Sequence, residues 1–192
     1  MKKIFWLTIL LAFCASSFAQ KKSTSSTSKN NIVKFGLNTY FNQDPFALGL
    51  SWESKLKNNN SIQIDFCPRL RSYNNRKNSG LGLGVSYRKY ISNNKQDLQG
   101  LYISPLLKYG YFSKNYYSYP KDQKINSLNF ALLFGKQWIF KNGFSLDVNS
   151  GVGFYNNFGE KYIYYFDPPA TRRKFSDFGI SPNLNIKAGF SF

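Results

Sequence analysis

From Asn31 to Phe192, apolar and polar residues alternate with few breaks. The last ten residues, NLNIKAGFSF, set the pattern: Leu184, Ile186, Ala188, Phe190 and Phe192 fall on one face, and Asn183, Asn185, Lys187, Gly189 and Ser191 on the other. Strict alternation predicts a strand with two unlike faces. The same period recurs in NIVKFGLNTYF (31–41), ALGLSWESKL (47–56), SIQIDFCPRLRSY (61–73), LGLGVSYRKYI (81–91), LYISPLLKYGYF (101–112), SLNFALLFGKQWIF (127–140) and FSLDVNSGVGFY (144–155). With the terminal segment from about Ser181, that makes eight predicted strands of about ten residues each, long enough to cross a bilayer when tilted. No segment sustains a helical period.

The connections differ in character. KNNN (57–60) and KNG (141–143) read as tight turns and SNNKQDLQG (92–100) as a longer one. On the opposite side lie NQDPF (42–46), NNRKNSG (74–80), a Tyr-rich stretch near 113–126 and a long loop near 156–179. An even number of strands returns both termini to one side, with the tighter turns mostly on that side. An outer-membrane barrel has this layout.

Glycine decides which face is wet. Gly36, Gly49, Gly82, Gly84, Gly110, Gly135, Gly151, Gly153 and Gly189 all fall on the polar face of their strands; Gly80, Gly100, Gly143, Gly159 and Gly179 are expected in turns or loops. An eight-stranded barrel has a lumen just wide enough for its own side chains, so small residues belong inside. The bulky apolar face then looks outward, where only lipid can cover so large a patch. The expectation is an all-β fold: an eight-stranded antiparallel up-and-down transmembrane barrel. Trp138, Phe140, Phe144 and Phe192 gather near the terminal side as an aromatic girdle. Lys89 and Lys136 have lipid-facing parity there and can snorkel to the interface. Pro68, Pro105 and Pro182 run against the pattern, because proline removes a ladder donor. Local bulges or strand ends are expected at all three.

The stretch GLSWESKLKNNNSIQI resembles the tyrosine-glutamate second strand and tight turn of a family of small outer-membrane barrels that carries only a domain-of-unknown-function label. SYRKYI, LQGLYISPLLKYGYF, FSLDVNSGVGFY and the terminal GFSF are similar to it as well. The similarity covers roughly residues 32 to 192. It implies a barrel of the OmpA and OmpX type and no established activity. It also implies that the barrel assembly machinery reads the last strand and its final aromatic, Phe192. Trp52 stands where the family has tyrosine, and the first external loop is unusually brief.

The N-terminus adds an export signal. Lys2 and Lys3 precede an apolar stretch, Ile4 to Phe13, too short to span a bilayer as a helix, and Ser17-Phe18-Ala19 before Gln20 fits a signal-peptidase site. Residues 1–19 are thus expected to be a cleaved signal peptide. Acylation of Cys14 is the alternative, and Phe13 disfavours it. Residues 20–31, rich in Ser, Thr, Lys and Asn, read as a disordered linker, and 32–192 as the barrel. The mature chain keeps one cysteine, Cys67, so no intramolecular disulfide framework exists.

The chain carries 26 Lys+Arg against 9 Asp+Glu, a net charge of +17, and no histidine. Without histidine no Ser-His-Asp site is possible, and the commonest metal ligand is missing. No enzyme, cofactor or metal is expected. Lumen parity collects Lys34, Glu53, Lys55, Asp65, Arg69, Arg88, Lys108, Asp147 and Lys187. Charges in so narrow a space must pair, and Lys34, Glu53, Asp65, Arg88, Asp147 and Lys187 are expected to form a salt-bridge core, with Asp147 and Lys187 on adjacent strands. A gated polar path, a narrow channel for small solutes, is the alternative, and a lipid-modifying enzyme ranks behind it. Cys67 has lumen parity and reads as a small filler. Basic residues expected in the external loops, Arg76 and Lys77 in the second, Lys114, Lys121 and Lys124 in the third, and Arg172, Arg173 and Lys174 in the fourth, suit phosphate. The expected partners are membrane lipid and lipopolysaccharide or a protein, with no nucleic acid, for a monomer of structural or interaction role at the cell outer membrane.

Overall fold

The computed structural model describes residues 30–40, 44–73, 76–91, 98–116, 123–163 and 171–192. The expected signal peptide and Cys14, and the linker except for its last two residues, lie outside them. Eight antiparallel strands close into one barrel, each bonded to its sequence neighbours and β8 to β1. They are β1 (Asn31–Tyr40), β2 (Asp44–Lys55), β3 (Asn60–Tyr73), β4 (Arg76–Tyr90), β5 (Gly100–Tyr116), β6 (Gln123–Ile139), β7 (Phe144–Ile163) and β8 (Thr171–Ser191). The first and last strands meet: Asn31 and Phe192 exchange both main-chain hydrogen bonds, at 3.1 and 2.9 Å.

The pleat sorts the side chains as the alternation requires. Along residues 81–90 of β4, exposed and buried positions alternate without exception. Outward positions are mostly apolar and exposed, including Phe35, Leu50, Trp52, Leu83, Phe130 and Phe134. Inward positions are polar: Lys34, Glu53, Gln137 and Asp147 have no exposed surface at all. The tight turn after β2 places Asn58 and Asn59 at φ 59° and 58°, left-handed conformations that asparagine tolerates. Leu56 donates to the Asn60 carbonyl at 2.7 Å to close it.

The strands run further than the alternation indicated. The stretch expected as a long loop near 156–179 is mostly a continuation of β7 and β8, paired in register up to Ile163–Thr171. Arg76 and Lys77 belong to β4, and Arg172, Arg173 and Lys174 to β8; Lys77 is opposite Asn115, Arg173 opposite Lys161 and Lys174 opposite Glu160. Gly80, Gly100, Gly159 and Gly179, expected in turns or loops, are strand residues too. Toward these outer ends Phe158, Phe175 and Phe178 are scattered among polar residues on both faces, so hydrophobic period no longer reports a strand although the main-chain ladder continues. Lys114 and Lys124 likewise lie in β5 and β6; Lys121 lies outside the described residues.

All three prolines coincide with interruptions of the ladder. Even residues of β3 address β2, as the Leu56–Asn60 bond shows, and the β2–β3 register stops at Leu50–Phe66, just before Pro68. Odd residues of β5 address β4, as Ile91 donating to Leu101 shows, and the β4–β5 register omits the pairs of Tyr87 and Arg88, opposite Pro105 and Ser104. Even residues of β8 address β1, and that register ends at Asn38–Asn185, before Pro182 is reached. In each case the missing N–H faces a side where the described residues show no ladder.

Candidate functional site: the plugged lumen

The inner ends of β1, β2, β4 and β7 bring four ions to one level. Lys34 Nζ is ion-paired with Glu53 and, at 2.9 Å, with Asp147 Oδ2. It also donates to Gln63 Oε1 at 3.0 Å and to Gln137 Oε1. Arg88 Nη1 lies 2.7 Å from Asp147 Oδ2 and 3.4 Å from Glu53 Oε2. Two cations therefore face two anions, and each carboxylate meets both bases. Charges removed from water are tolerated only with such pairing and with their remaining lone pairs satisfied. Two phenols and a hydroxyl complete that requirement: Tyr90 donates to Glu53 Oε1 at 2.7 Å, Tyr102 to Asp147 Oδ1 at 2.6 Å, and Ser61 to Glu53. The Arg88 guanidinium also lies over the Tyr102 ring, 4.4 Å from its centre, a cation–π contact.

A second pair sits beside this layer. Lys187 Nζ is 2.7 Å from Asp65 Oδ1, which also accepts from Gln63 Nε2 at 2.8 Å. Gln63 joins the two layers through Lys34. Asp147 and Lys187 are register partners on adjacent strands, yet the Lys187 ion pair reaches across the lumen to β3. A barrel this narrow makes the far wall as close as the neighbouring strand, so strand adjacency did not identify the partners. Of the other lumen cations, Lys108 is buried and Lys55 partly so; the Arg69 side chain lies outside the described residues. Cys67 is buried and accepts from Asn38 Nδ2 at 3.4 Å.

Below the ions, toward the chain ends, an apolar layer closes the lumen. Ile32, Tyr90, Leu98 and Tyr102 form it, with Ile139 packed against them. Leu98, from the β4–β5 connection, is only 4 % exposed and holds a left-handed φ of 57°. Its carbonyl accepts from Gln137 Nε2 at 2.6 Å, which ties the apolar layer to the charged one. Further along the lumen Leu106, Ala131 and Leu133 form another buried apolar cluster. Bulky apolar residues were expected outside, and here they enter because small neighbours make room. The Phe112 ring, for example, lies over Gly110 and Gly80.

Sequence reasoning gathered the charged residues and missed Gln63, Gln137, Tyr90, Tyr102 and Leu98. The two tyrosines were legible by parity, since each alternates with outward neighbours. Leu98 had no such signal, because it lies in a connection. Arg173 and Lys174 are exposed near the outer end of β8. Arg76, Lys77 and Arg172 have strand main chains, and their side chains lie outside the described residues. Phe192 is exposed, with its main chain bonded to Asn31. Among the described residues no group of three or more metal-ligating side chains occurs.

The chain belongs to a family of unknown function, DUF6850, whose model matches residues 11–187. The resemblance read from the sequence, to small barrels with only a domain-of-unknown-function label, is borne out by that match. A comparison with curated proteins found no match. Among solved structures, the chain is similar to the β-domain of the Bordetella autotransporter BrkA, at 10 % identity, over 84 % of this chain and 98 % of that one, with a TM-score of 0.43.

Proposed function

We propose that this member of a family without an assigned activity is an integral outer-membrane protein with a plugged lumen and a structural or interaction role. The observation that carries the reading is the inverted polarity of the barrel: a continuous apolar exterior around a lumen of buried ions. Water would leave that exterior uncovered, whereas lipid covers it. The ion pairs fill the lumen across its width, which supports a plug over a channel. No catalysis is assigned. Glu53, Asp65 and Asp147 are each held by buried bases, and the chain has no histidine. The basic outer ends, Arg173 and Lys174 with Arg76, Lys77 and Arg172, suit phosphates of lipopolysaccharide. A cleaved signal peptide would export the chain and the barrel assembly machinery would insert it as a monomer, without a cofactor.

Two measurements test this. Unboiled protein should migrate differently from boiled protein on a gel and fractionate with outer membranes. In planar bilayers it should show little conductance, because eight strands leave no open channel. Recovery from the soluble periplasmic fraction with unchanged mobility would sink the membrane reading. Steady single-channel currents would promote the narrow channel in place of the plug.

A further inference from the structure

Above Asn185, β8 outgrows its neighbour. β7 accompanies β8 up to Ile163–Thr171, but β1 leaves it at Asn38–Asn185. The direction of the main-chain groups follows from two bonds. Phe192 bonds to Asn31 of β1, while Ser191 donates to Gly143 on the β7 side at 2.9 Å. The register is unbroken from there upward, so even residues of β8 address the β1 side. Arg172, Lys174, Ser176, Phe178 and Ile180 thus turn both N–H and C=O toward a side that holds no strand among the described residues. Pro182, also even, offers no N–H there and separates this edge from the ladder with β1.

The side chains along the edge have a graded chemistry. Phe178 and Ile180 are 69 % and 64 % exposed, the two most exposed large apolar side chains among the described residues. Among the described residues no strand flanks them on that side. Two turns of the pleat higher, Lys174 and Arg173 are exposed bases. An unpaired edge is a template for a further strand. Acyl chains cover Phe178 and Ile180 but cannot match the N–H and C=O groups beside them. A polypeptide matches both.

We infer that residues 172–180 of β8 are a docking edge for an extended, acidic segment of another protein, added antiparallel as a ninth strand. Its main chain pairs with the even residues, its apolar side chains lie beside Phe178 and Ile180, and its acids face Lys174, which shares their face of the strand. The inference rests on the barrel and its register. It goes beyond the proposed envelope role by naming the partner's chemistry and mode of attachment.

The test uses the full chain folded in detergent micelles and a labelled peptide of roughly ten residues, alternating Val and Thr at one end and Glu and Thr at the other. Two further peptides carry N-methyl groups on alternate amides, one set for each edge of the peptide strand. The plain peptide should bind. Methylation of the edge that meets β8 should abolish binding, and methylation of the other edge should preserve it. Ser176→Pro, checked for folding by its heat-dependent gel shift, should bind about tenfold more weakly or worse, through lost ladder bonds. Equal binding of the two methylated peptides would overturn the inference, since attraction by charge alone ignores amide direction. So would no binding to a parent that shows the gel shift, which leaves the membrane reading standing. Selective binding by a parent that shows the shift yet is recovered from the soluble periplasmic fraction would uphold the docking edge and sink the membrane reading.

Discussion

Tyr102 on β5 and Gly135 on β6 are register partners, and the phenol of one occupies the space where the other would carry a side chain. A Cβ at Gly135 would lie 2.5 Å from the Tyr102 oxygen and 2.7 Å from Asn149 Cβ. The ring is therefore pressed against the barrel wall, where its hydroxyl reaches Asp147 and its face meets Arg88. Glycine on one strand thus positions a ligand of the ionic plug on the next.

Gly135→Ala should therefore destabilise the barrel by about 1–3 kcal/mol, the usual cost of overpacking. The denaturant midpoint of the folded protein in detergent measures it. An unchanged midpoint would mean that Tyr102 has room to move and does not hold Asp147 in place.

Glu53→Gln removes one of the two anions of the main charged layer and leaves Lys34 and Arg88 sharing Asp147. For a buried pair the expected loss is about 3–5 kcal/mol. A shift of that size in urea, with unchanged heat-dependent mobility of the protein that does fold, supports a locking role. A negligible shift would mean that water already serves Lys34 and Arg88.

The prolines make opposite predictions on one strand. Pro182→Ala should change stability by less than about 1 kcal/mol, since the proline withholds no ladder bond and stiffens only the unfolded chain. Ile186→Pro, one pair inside the end of the β1 ladder and opposite Leu37, should cost at least about 2 kcal/mol by stripping a donor and stranding its acceptor. Similar unfolding midpoints for the two variants would refute the assignment of which edge is paired.

Deletion of Phe192 removes both bonds to Asn31 at the seam where β8 meets β1. The folded amount recovered from membranes should fall. Normal recovery would argue against a role of the terminal aromatic in insertion.

Reversal of Arg172, Arg173 and Lys174 to Glu changes no lumen ion pair, so the barrel should still form. Association with purified lipopolysaccharide should drop, and more at low salt than at high, as screening lengths shrink to about 8 Å at physiological ionic strength. Equal association of parent and variant would leave the cluster without a part in glycolipid contact.

The alternation of single residues determined the faces of the barrel. Because the pleat has a period of two, Lys34, Glu53, Arg88 and Asp147 were legible as inward, and Phe35, Leu50 and Phe134 as outward, without any knowledge of pairing. What each inward residue meets was not legible. Lys187 finds Asp65 across the lumen instead of its register partner Asp147, and Leu98 enters from a connection to seal the end. Those contacts depend on strand register, on closure of β8 against β1 and on the narrowness that closure imposes. The same holds for the outer strands. Toward the outer ends Phe158, Phe175 and Phe178 are scattered among polar residues on both faces, so residues 156–163 and 171–179 carry no periodic signal. Only the main-chain ladder, a property of two strands together, makes them part of the barrel wall.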